Sequence, residues 1–131
     1  MAAIVAVPVR SSELATSRHM QLIDAAQLAD LSSQPGVTVL DFTAAWCGPC
    51  RTLGAVLDAL APELAGRVRF AAIDVDREPD VAQRYGVRSM PTLVLVRDGR
   101  EVGRVVGARP RAFVRGVIDR ALAGDAAITC P

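Results

Sequence analysis

The amino-acid sequence predicts an α/β fold in which a central mixed β-sheet is flanked by helices on both faces. Two apolar, β-branched runs, Val37 to Thr43 and Val68 to Asp74, are separated by a helical segment, a pattern typical of parallel strands. Residues 92–106 alternate around Asp98-Gly99, the strongest hairpin signal in the chain. A βαβ half, a β-hairpin and a C-terminal helix from about Pro110 to Leu122 together imply a mixed, doubly covered sheet.

The elements before the first core strand are predicted to be short. A strand near His19 to Ile23 leads to Asp24, which is a suitable N-cap for a helix that runs to about Leu31. Residues 34–36, with the sequence Gln-Pro-Gly, predict a turn. The chain therefore enters the core strand directly from a turn.

Two more helices are predicted between the core strands and the hairpin. The first runs from about Cys50 to Leu64 and contains Gly54, which weakens it by roughly 1 kcal/mol relative to alanine. Pro62 should kink or end this helix, because proline donates no backbone hydrogen bond. Glu78-Pro79 opens the second, which ends near Tyr85-Gly86, where glycine can adopt the left-handed cap.

Composition limits the classes of function. With 131 residues and 51% hydrophobic content, the chain can form one compact domain but hardly two. Its 15 basic residues nearly balance 14 acidic ones, and all of the basic residues are arginines. These arginines are scattered from Arg10 to Arg120 without a run, so no nucleic-acid partner is predicted.

Both ends of the chain are predicted to lie outside the folded domain. Residues 1–18 are expected to form a flexible N-terminal extension, 19–123 the domain and 124–131 a C-terminal tail. No stretch approaches the roughly 20 apolar residues that span a bilayer. The apolar start, Ala2 to Val9, lacks a preceding basic region and contains Pro8. Neither a membrane association nor a secretory signal is therefore predicted, and a cytoplasmic location is expected.

The sequence Trp46-Cys47-Gly48-Pro49-Cys50 places two thiols three positions apart, where they can be oxidised to a disulfide and reduced again. The pair lies where a predicted strand passes into a predicted helix. The amide groups and dipole of a helix start favour Cys47 as thiolate, the sulfur form that attacks a disulfide. Cys47 is expected to be exposed, whereas Cys50 lies inside the first turn.

Zinc binding is the alternative use of such a pair. Tetrahedral zinc needs four ligands, and the remaining candidates, Cys130 and His19, are far along the chain. The sequence therefore predicts no metal site. Cys130 is interpreted as an incidental tail residue, with a regulatory thiol or an intermolecular disulfide as alternatives.

Five segments together resemble the thioredoxin family, over roughly Gln21 to Ala123. In order they are Asp41-Phe42, Trp46 to Cys50, Met90-Pro91-Thr92, Asp98-Gly99 and Val106-Gly107-Ala108. A lone Cys-x-x-Cys is a weak signal, whereas this ordered set is specific. The resemblance implies the thioredoxin fold and a protein-disulfide reductase.

The resemblance also implies a role for each matching residue. Cys47 would be the nucleophile and Cys50 the resolving thiol, with Asp41 a buried acid–base group whose raised pKa lets it accept the proton of Cys50. A strand-end carboxylate that reaches solvent is the alternative for Asp41. Pro91 would follow a cis peptide bond and face the disulfide. The apolar surface that receives the substrate chain would further include Trp46, Gly48, Pro49, Val75, Met90, Gly107 and Ala108.

The partners that the resemblance implies are disulfide-containing client proteins and a thioredoxin reductase that draws on NADPH. No bound cofactor is expected beyond the redox-active disulfide, and the chain is expected to act as a monomer in electron transport and cell redox homeostasis. Two alternatives remain open. A disulfide oxidase or isomerase would differ in its redox potential, and a redox-silent docking module would fail to reduce insulin.

Three positions depart from the pattern usual in the family. Thr43 stands where a tryptophan is common, two residues after the aspartate. Ala72 replaces a lysine that often neighbours the aspartate on the next strand, and Ala55 replaces a helix proline. Without a lysine at position 72, less should hold Asp41 ionised.

Overall fold

The computed structural model describes residues 20–124 and 128–130, which contain one six-stranded β-sheet. The strands are β1 (Gln21–Leu22), β2 (Val37–Thr43), β3 (Val68–Asp74), β4 (Thr92–Arg97), β5 (Arg100–Val106) and β6 (Ile128–Cys130). Their spatial order is β1-β3-β2-β4-β5-β6. β1, β3 and β2 are mutually parallel, whereas β4 is antiparallel to both β2 and β5. The predicted mixed sheet is confirmed.

Four α-helices connect these strands. They are α1 (Ala25–Ser32), α2 (Gly48–Leu60), α3 (Pro79–Arg84) and α4 (Arg111–Ala123). Asp24 caps α1 as predicted, through a reciprocal pair of 2.9 Å hydrogen bonds with Gln27. The α-helical part of α2 ends at Leu60 and a 3₁₀ turn over Ala61–Leu64 follows, so Pro62 does end the helix.

Each face of the sheet carries its own apolar core. The face covered by α2 and α4 buries, among others, Val37, Val39, Leu53, Leu57, Leu93, Leu95, Val114 and Ile118. The face covered by α1 and α3 buries Leu28, Leu31, Leu40, Phe42, Ala71, Ile73, Val81, Ala82, Val94 and Val96. Successive residues of β2 and β4 alternate between the two cores, as the two-residue period of a strand requires.

The hairpin between β4 and β5 turns at Asp98 and Gly99, which have φ angles of +52° and +86°. Two consecutive positive φ angles are the signature of the tight turn that the Asp-Gly pair predicted. The Asp98 carboxylate also accepts a 2.7 Å hydrogen bond from the Gly36 amide. The hairpin tip is therefore joined to the turn that precedes β2.

One element was not predicted from the sequence. β6 pairs in parallel with β5, from Gly103 opposite Ile128 to Val105 opposite Cys130, within the segment interpreted as a tail. The predicted extension 1–18 and His19 lie outside the described residues, and the domain boundaries remain predictions. None of the described helices is long and apolar enough to cross a membrane.

Candidate active site

The cysteine pair lies at the carboxyl end of β2, where the chain turns into α2. Cys47 is the N-cap of α2, and its Sγ accepts a hydrogen bond from the Cys50 amide at 3.2 Å. Pro49 occupies the first turn, where its missing amide proton is not needed. A sulfur thus takes the capping position that an oxygen usually fills, and it lies at the positive end of the helix dipole.

Cys47 and Cys50 are joined as a disulfide, with their Cα atoms 5.3 Å apart. Cys47 is 5% and Cys50 3% exposed. The expectation that Cys47 is exposed is therefore wrong for the oxidised protein. Cys47 and Cys50 form a buried cluster with Ala44. The partly buried Val75 and Met90 pack against this cluster and cover the cysteines.

Trp46 is the most exposed large apolar residue beside the disulfide, with 66% of its surface accessible. Its indole Nε1 donates a 2.8 Å hydrogen bond to Oδ2 of Asp76, which follows β3. The Asp76 amide in turn donates to the Asp74 carboxylate at 2.9 Å. Asp76 was not among the predicted site residues, and its place one residue after Val75 was the available signal.

The loop before β4 completes the opposite side of the disulfide. The Met90-Pro91 peptide bond is cis, as predicted, and the Met90 carbonyl oxygen lies 3.9 Å from the Cys47 Sγ. The Gly107 amide donates a 2.8 Å hydrogen bond to the Pro91 carbonyl, which brings the end of β5 to the site. Gly107 has a φ of +90° and open space where a side chain would project, so backbone conformation favours glycine here.

Among the predicted surface residues, Val75 and Met90 pack directly against the two cysteines. Gly48, Pro49 and Ala108 are exposed, whereas Val75 and Met90 are half-buried. The Val75 amide donates to the Thr43 carbonyl at 2.9 Å and so continues the pairing of β2 and β3 up to the disulfide. The client surface as a whole remains a prediction.

Asp41 lies in the middle of β2, and only 2% of its surface is exposed. Strand alternation places it on the same face as Val39, the face covered by α2 and α4. Its Oδ1 has no hydrogen-bond partner among the described residues. Burial, and secondarily the negative charge of Asp58, raises the pKa of Asp41 to about 7. The alternative of a solvent-reaching carboxylate is therefore wrong.

Comparison with known protein families assigns this arrangement. Residues 19–120 match the family model described as Thioredoxin. The chain belongs to the thioredoxin family.

Individual relatives agree with this membership. The chain is 35% identical over 104 residues to thioredoxin 2 of Chlorobaculum tepidum, covering 79% of this chain and 95% of that protein. The crystal structure of Fasciola hepatica thioredoxin superposes with a TM-score of 0.70 and 41% identity, covering 77% of this chain and 97% of that one. A structure from work on how yeast mitochondrial 1-Cys peroxiredoxin is resolved through glutathione and thioredoxin systems has a TM-score of 0.68 and 37% identity, covering 76% and 93%.

Family membership and the close cysteine pair together make this thioredoxin a thiol–disulfide oxidoreductase, the class that reduces protein disulfides. Among residues 20–124 and 128–130, no three His, Cys, Asp or Glu side chains are grouped so that they could hold a metal ion. The backbone of Cys130 lies in β6, at the edge of the sheet, and β4 and β5 separate it from β2.

This thioredoxin differs from the usual family pattern around Asp41. Ala72 is the residue that pairs with Asp41 in the β2–β3 register, and it is buried. The position therefore offers a methyl group and no cation, which agrees with the raised pKa of Asp41. Asp58 of α2 was not predicted to influence Asp41. The available signal was that Asp58 follows Leu57, a residue that the helix buries.

Proposed function

We propose that this thioredoxin reduces the disulfides of client proteins, with Cys47 as the attacking and Cys50 as the resolving thiol. The observation that carries this proposal is the hydrogen bond from the Cys50 amide to the Cys47 sulfur at the start of α2. A donor and a helix dipole that already point at this sulfur stabilise negative charge on it once the disulfide is reduced. Among the described residues, none donates a hydrogen bond to the sulfur of Cys50, which lies inside the first turn.

The proposed reaction proceeds through a mixed disulfide. The Cys47 thiolate attacks one client sulfur, and the other client sulfur leaves as a thiolate that takes up a proton. Cys50 then loses its proton and attacks the Cys47 sulfur, which releases the second client thiolate. The client gains two electrons and two protons, and the Cys47–Cys50 disulfide is formed.

Asp41 is proposed as the proton acceptor for Cys50. Its carboxyl is buried on the face that α2 covers, and α2 carries Cys50 in its first turn. Because the pKa of Asp41 is about 7, the carboxyl can both accept and release a proton near neutral pH. Asp41 therefore fits an acid–base role better than a permanently charged carboxylate would.

The client segment is proposed to lie on the surface around the disulfide. Its proposed contacts are Trp46, Gly48, Pro49, Val75, Met90, Pro91, Gly107 and Ala108. Support comes from the apolar character of this surface and from the Met90 carbonyl, which lies beside the attacking sulfur. An extended client backbone can pair there while its disulfide faces Cys47.

The proposed cellular setting follows from family membership. A thioredoxin reductase that draws on NADPH would restore the dithiol, so that the protein acts as a monomeric electron carrier in cytoplasmic redox homeostasis without a bound cofactor. A peroxiredoxin is one candidate client, since a related thioredoxin structure comes from work on peroxiredoxin resolution.

Trapping of clients tests the division of labour between the two sulfurs. Cys50→Ser should attack client disulfides without releasing them, so clients recovered from lysate elute only with dithiothreitol. Cys47→Ser is the matched control and should retain few. Equal retention by both variants would reject the assigned roles. Insulin reduction by the wild type, together with the potential of the Cys47/Cys50 couple, separates a reductase from an oxidase or isomerase.

A further inference from the structure

We propose that arginines around the cysteine pair select client disulfides that are flanked by carboxylates. This inference deepens the proposed reductase function and rests on it. The basic rim consists of Arg51, Arg88 and Arg109, each of which belongs to a different segment of the proposed client surface.

Arg51 directly follows Cys50 and is exposed in the first turn of α2. Its Nη1 donates a 3.0 Å hydrogen bond to the Ala45 carbonyl. This bond folds the side chain back toward the loop that carries Trp46 and Cys47. The guanidinium is therefore held against the loop that precedes the cysteine pair.

The other two arginines flank the opposite side. Arg88 is exposed two residues before Met90, whose carbonyl lies 3.9 Å from the Cys47 sulfur. Arg109 lies two residues after Gly107, with its guanidinium carbon 5.1 Å from the centre of the Phe113 ring and its Nε 3.4 Å from the Val106 carbonyl. Neither Arg51 nor Arg88 forms an ion pair with another described residue.

Carboxylates near the disulfide offset only part of the charge of the three arginines. Asp76 accepts the indole hydrogen bond of Trp46 and contributes one negative charge. Asp41 is buried, and its pKa of about 7 leaves it largely protonated in mildly acidic solution. The net charge of the whole chain is only +1, so any electrostatic preference must come from local placement.

The arginines of the basic rim are close enough to the proposed client surface for their charges to act on a bound client. Two residues of extended chain span at most about 7 Å, so the backbones of Arg88 and Arg109 lie close to those of Met90 and Gly107 in the proposed client surface. This spacing is comparable to the Debye length of about 8 Å at physiological ionic strength. Glutamate or aspartate within three residues of the attacked cysteine is therefore attracted, and lysine there is repelled. Steering of this kind changes association rates by about tenfold or more.

The test compares three disulfide peptides that are identical except for glutamate, glutamine or lysine at the positions flanking one cysteine. The reduced protein reacts with each peptide in a single turnover, and the released peptide thiol is measured after acid quench. We expect the glutamate peptide to react about tenfold faster than the lysine peptide in about 20 mM salt. The ratio should approach one in about 0.5 M salt, where charges are screened.

Matched variants locate the effect. R51Q/R88Q should lower the glutamate-to-lysine rate ratio at least threefold, whereas R67Q/R100Q should leave it unchanged. Arg67 and Arg100 are also exposed, and they lie at the opposite ends of β3 and β5 from the disulfide. Because each ratio compares two peptides on one variant, an altered reactivity of Cys47 cancels.

The outcomes separate the two proposals. Equal rates for the three peptides with the wild type, or the same loss in both double variants, would overturn selection by the basic rim and leave the reductase function standing. Failure to reduce even the glutamine peptide would reject the reductase function, and selection by the basic rim with it.

Discussion

The two faces of the sheet differ in whether their buried polar side chains have hydrogen-bond partners. On the face covered by α1 and α3, the Thr38 hydroxyl accepts a 3.1 Å hydrogen bond from Arg69 Nε, and the Thr92 hydroxyl donates a 2.7 Å bond to the Ser89 carbonyl. On the face covered by α2 and α4, Asp41 is equally buried, yet its Oδ1 has no partner among the described residues. All three residues lie on the central strands β2 and β4.

This difference distinguishes a structural polar group from one suited to chemistry. A buried hydroxyl with a partner costs little, whereas a buried carboxyl without one loses its hydration in the charged form. The pKa of Asp41 is raised to about 7 for that reason. The costly group lies on the face covered by α2, the helix that begins at the disulfide.

The largest expected effect concerns the face without the carboxyl. Phe42→Ala should lower the free energy of unfolding by about 3–5 kcal/mol, because it removes a fully buried ring that packs against Tyr85. Urea unfolding measures this loss. Insulin reduction per folded molecule should remain near that of the wild type, and a loss of activity in the folded variant would show that the two faces are not independent.

Asp41→Asn should act in the opposite direction on stability. Below the unfolded pKa of about 3.9, the carboxyl is protonated in both states and burial costs no ionisation energy. Stability is lost as pH rises through the folded pKa of about 7, because only the unfolded chain ionises freely. The difference between these pKa values corresponds to about 4 kcal/mol. Since asparagine still buries an amide, the variant should gain about 1–3 kcal/mol above pH 7.

Urea unfolding of Asp41→Asn and wild type from pH 4 to pH 8 measures this gain. The two curves should converge near pH 4, and the variant should reduce disulfides about 10- to 100-fold more slowly at pH 7. Parallel stability curves over the whole range would contradict a raised pKa. Unchanged reduction would remove Asp41 from the proposed proton transfer.

Thr38→Val sharpens the contrast at a hydrogen-bonded position. The substitution keeps the shape of the side chain and removes the acceptor of Arg69, so it should cost about 1 kcal/mol. This loss should not vary between pH 5 and pH 8, unlike the effect at Asp41. A stabilised Thr38→Val protein would show that buried polar groups on both faces are equally unfavourable.

The smallest effect is expected for Asp58→Asn. Removal of this charge should lower the pKa of Asp41 toward its ordinary value, by less than burial raises it, because burial is the larger cause. The midpoint of the Asp41 carboxyl resonance in an NMR titration measures the shift. Ala59→Gln, an exposed substitution next in the sequence, is the control and should leave the midpoint unchanged.

The sequence correctly predicted the strands and turns that depend on short, local residue patterns. β2 and β3 are where the apolar, β-branched runs placed them, and the Asp98-Gly99 turn has the expected backbone. α2 begins at Gly48, two residues before the predicted start, because the Cys47 sulfur serves as its cap. β6 was missed because three residues show no alternation, and its pairing depends on the distant edge of β5.

The candidate site also contains some features that the sequence predicted and others that it did not. The motif and the resemblance identified the cysteines, Asp41 and the surrounding surface. The structure joins the cysteines and buries Asp41, and the client surface remains a prediction. The contact of Trp46 with Asp76 joins residues that are 30 positions apart, and the influence of Asp58 on Asp41 crosses from a helix to a strand. Sequence position could draw attention to Asp76 and Asp58, but it could not predict these two interactions, because side-chain contacts between elements depend on how those elements pack.

The order of the strands has a consequence for solubility. The outermost described strands, β1 and β6, contain two and three residues, whereas the four strands between them contain six or seven. Long open edges are templates on which other chains can add and start aggregates, and short edge strands limit that addition. The exposed Trp46 beside the disulfide already gives this protein one apolar surface to which other chains can bind. Its short outer strands limit the length of backbone edge that β1 and β6 can add to that surface.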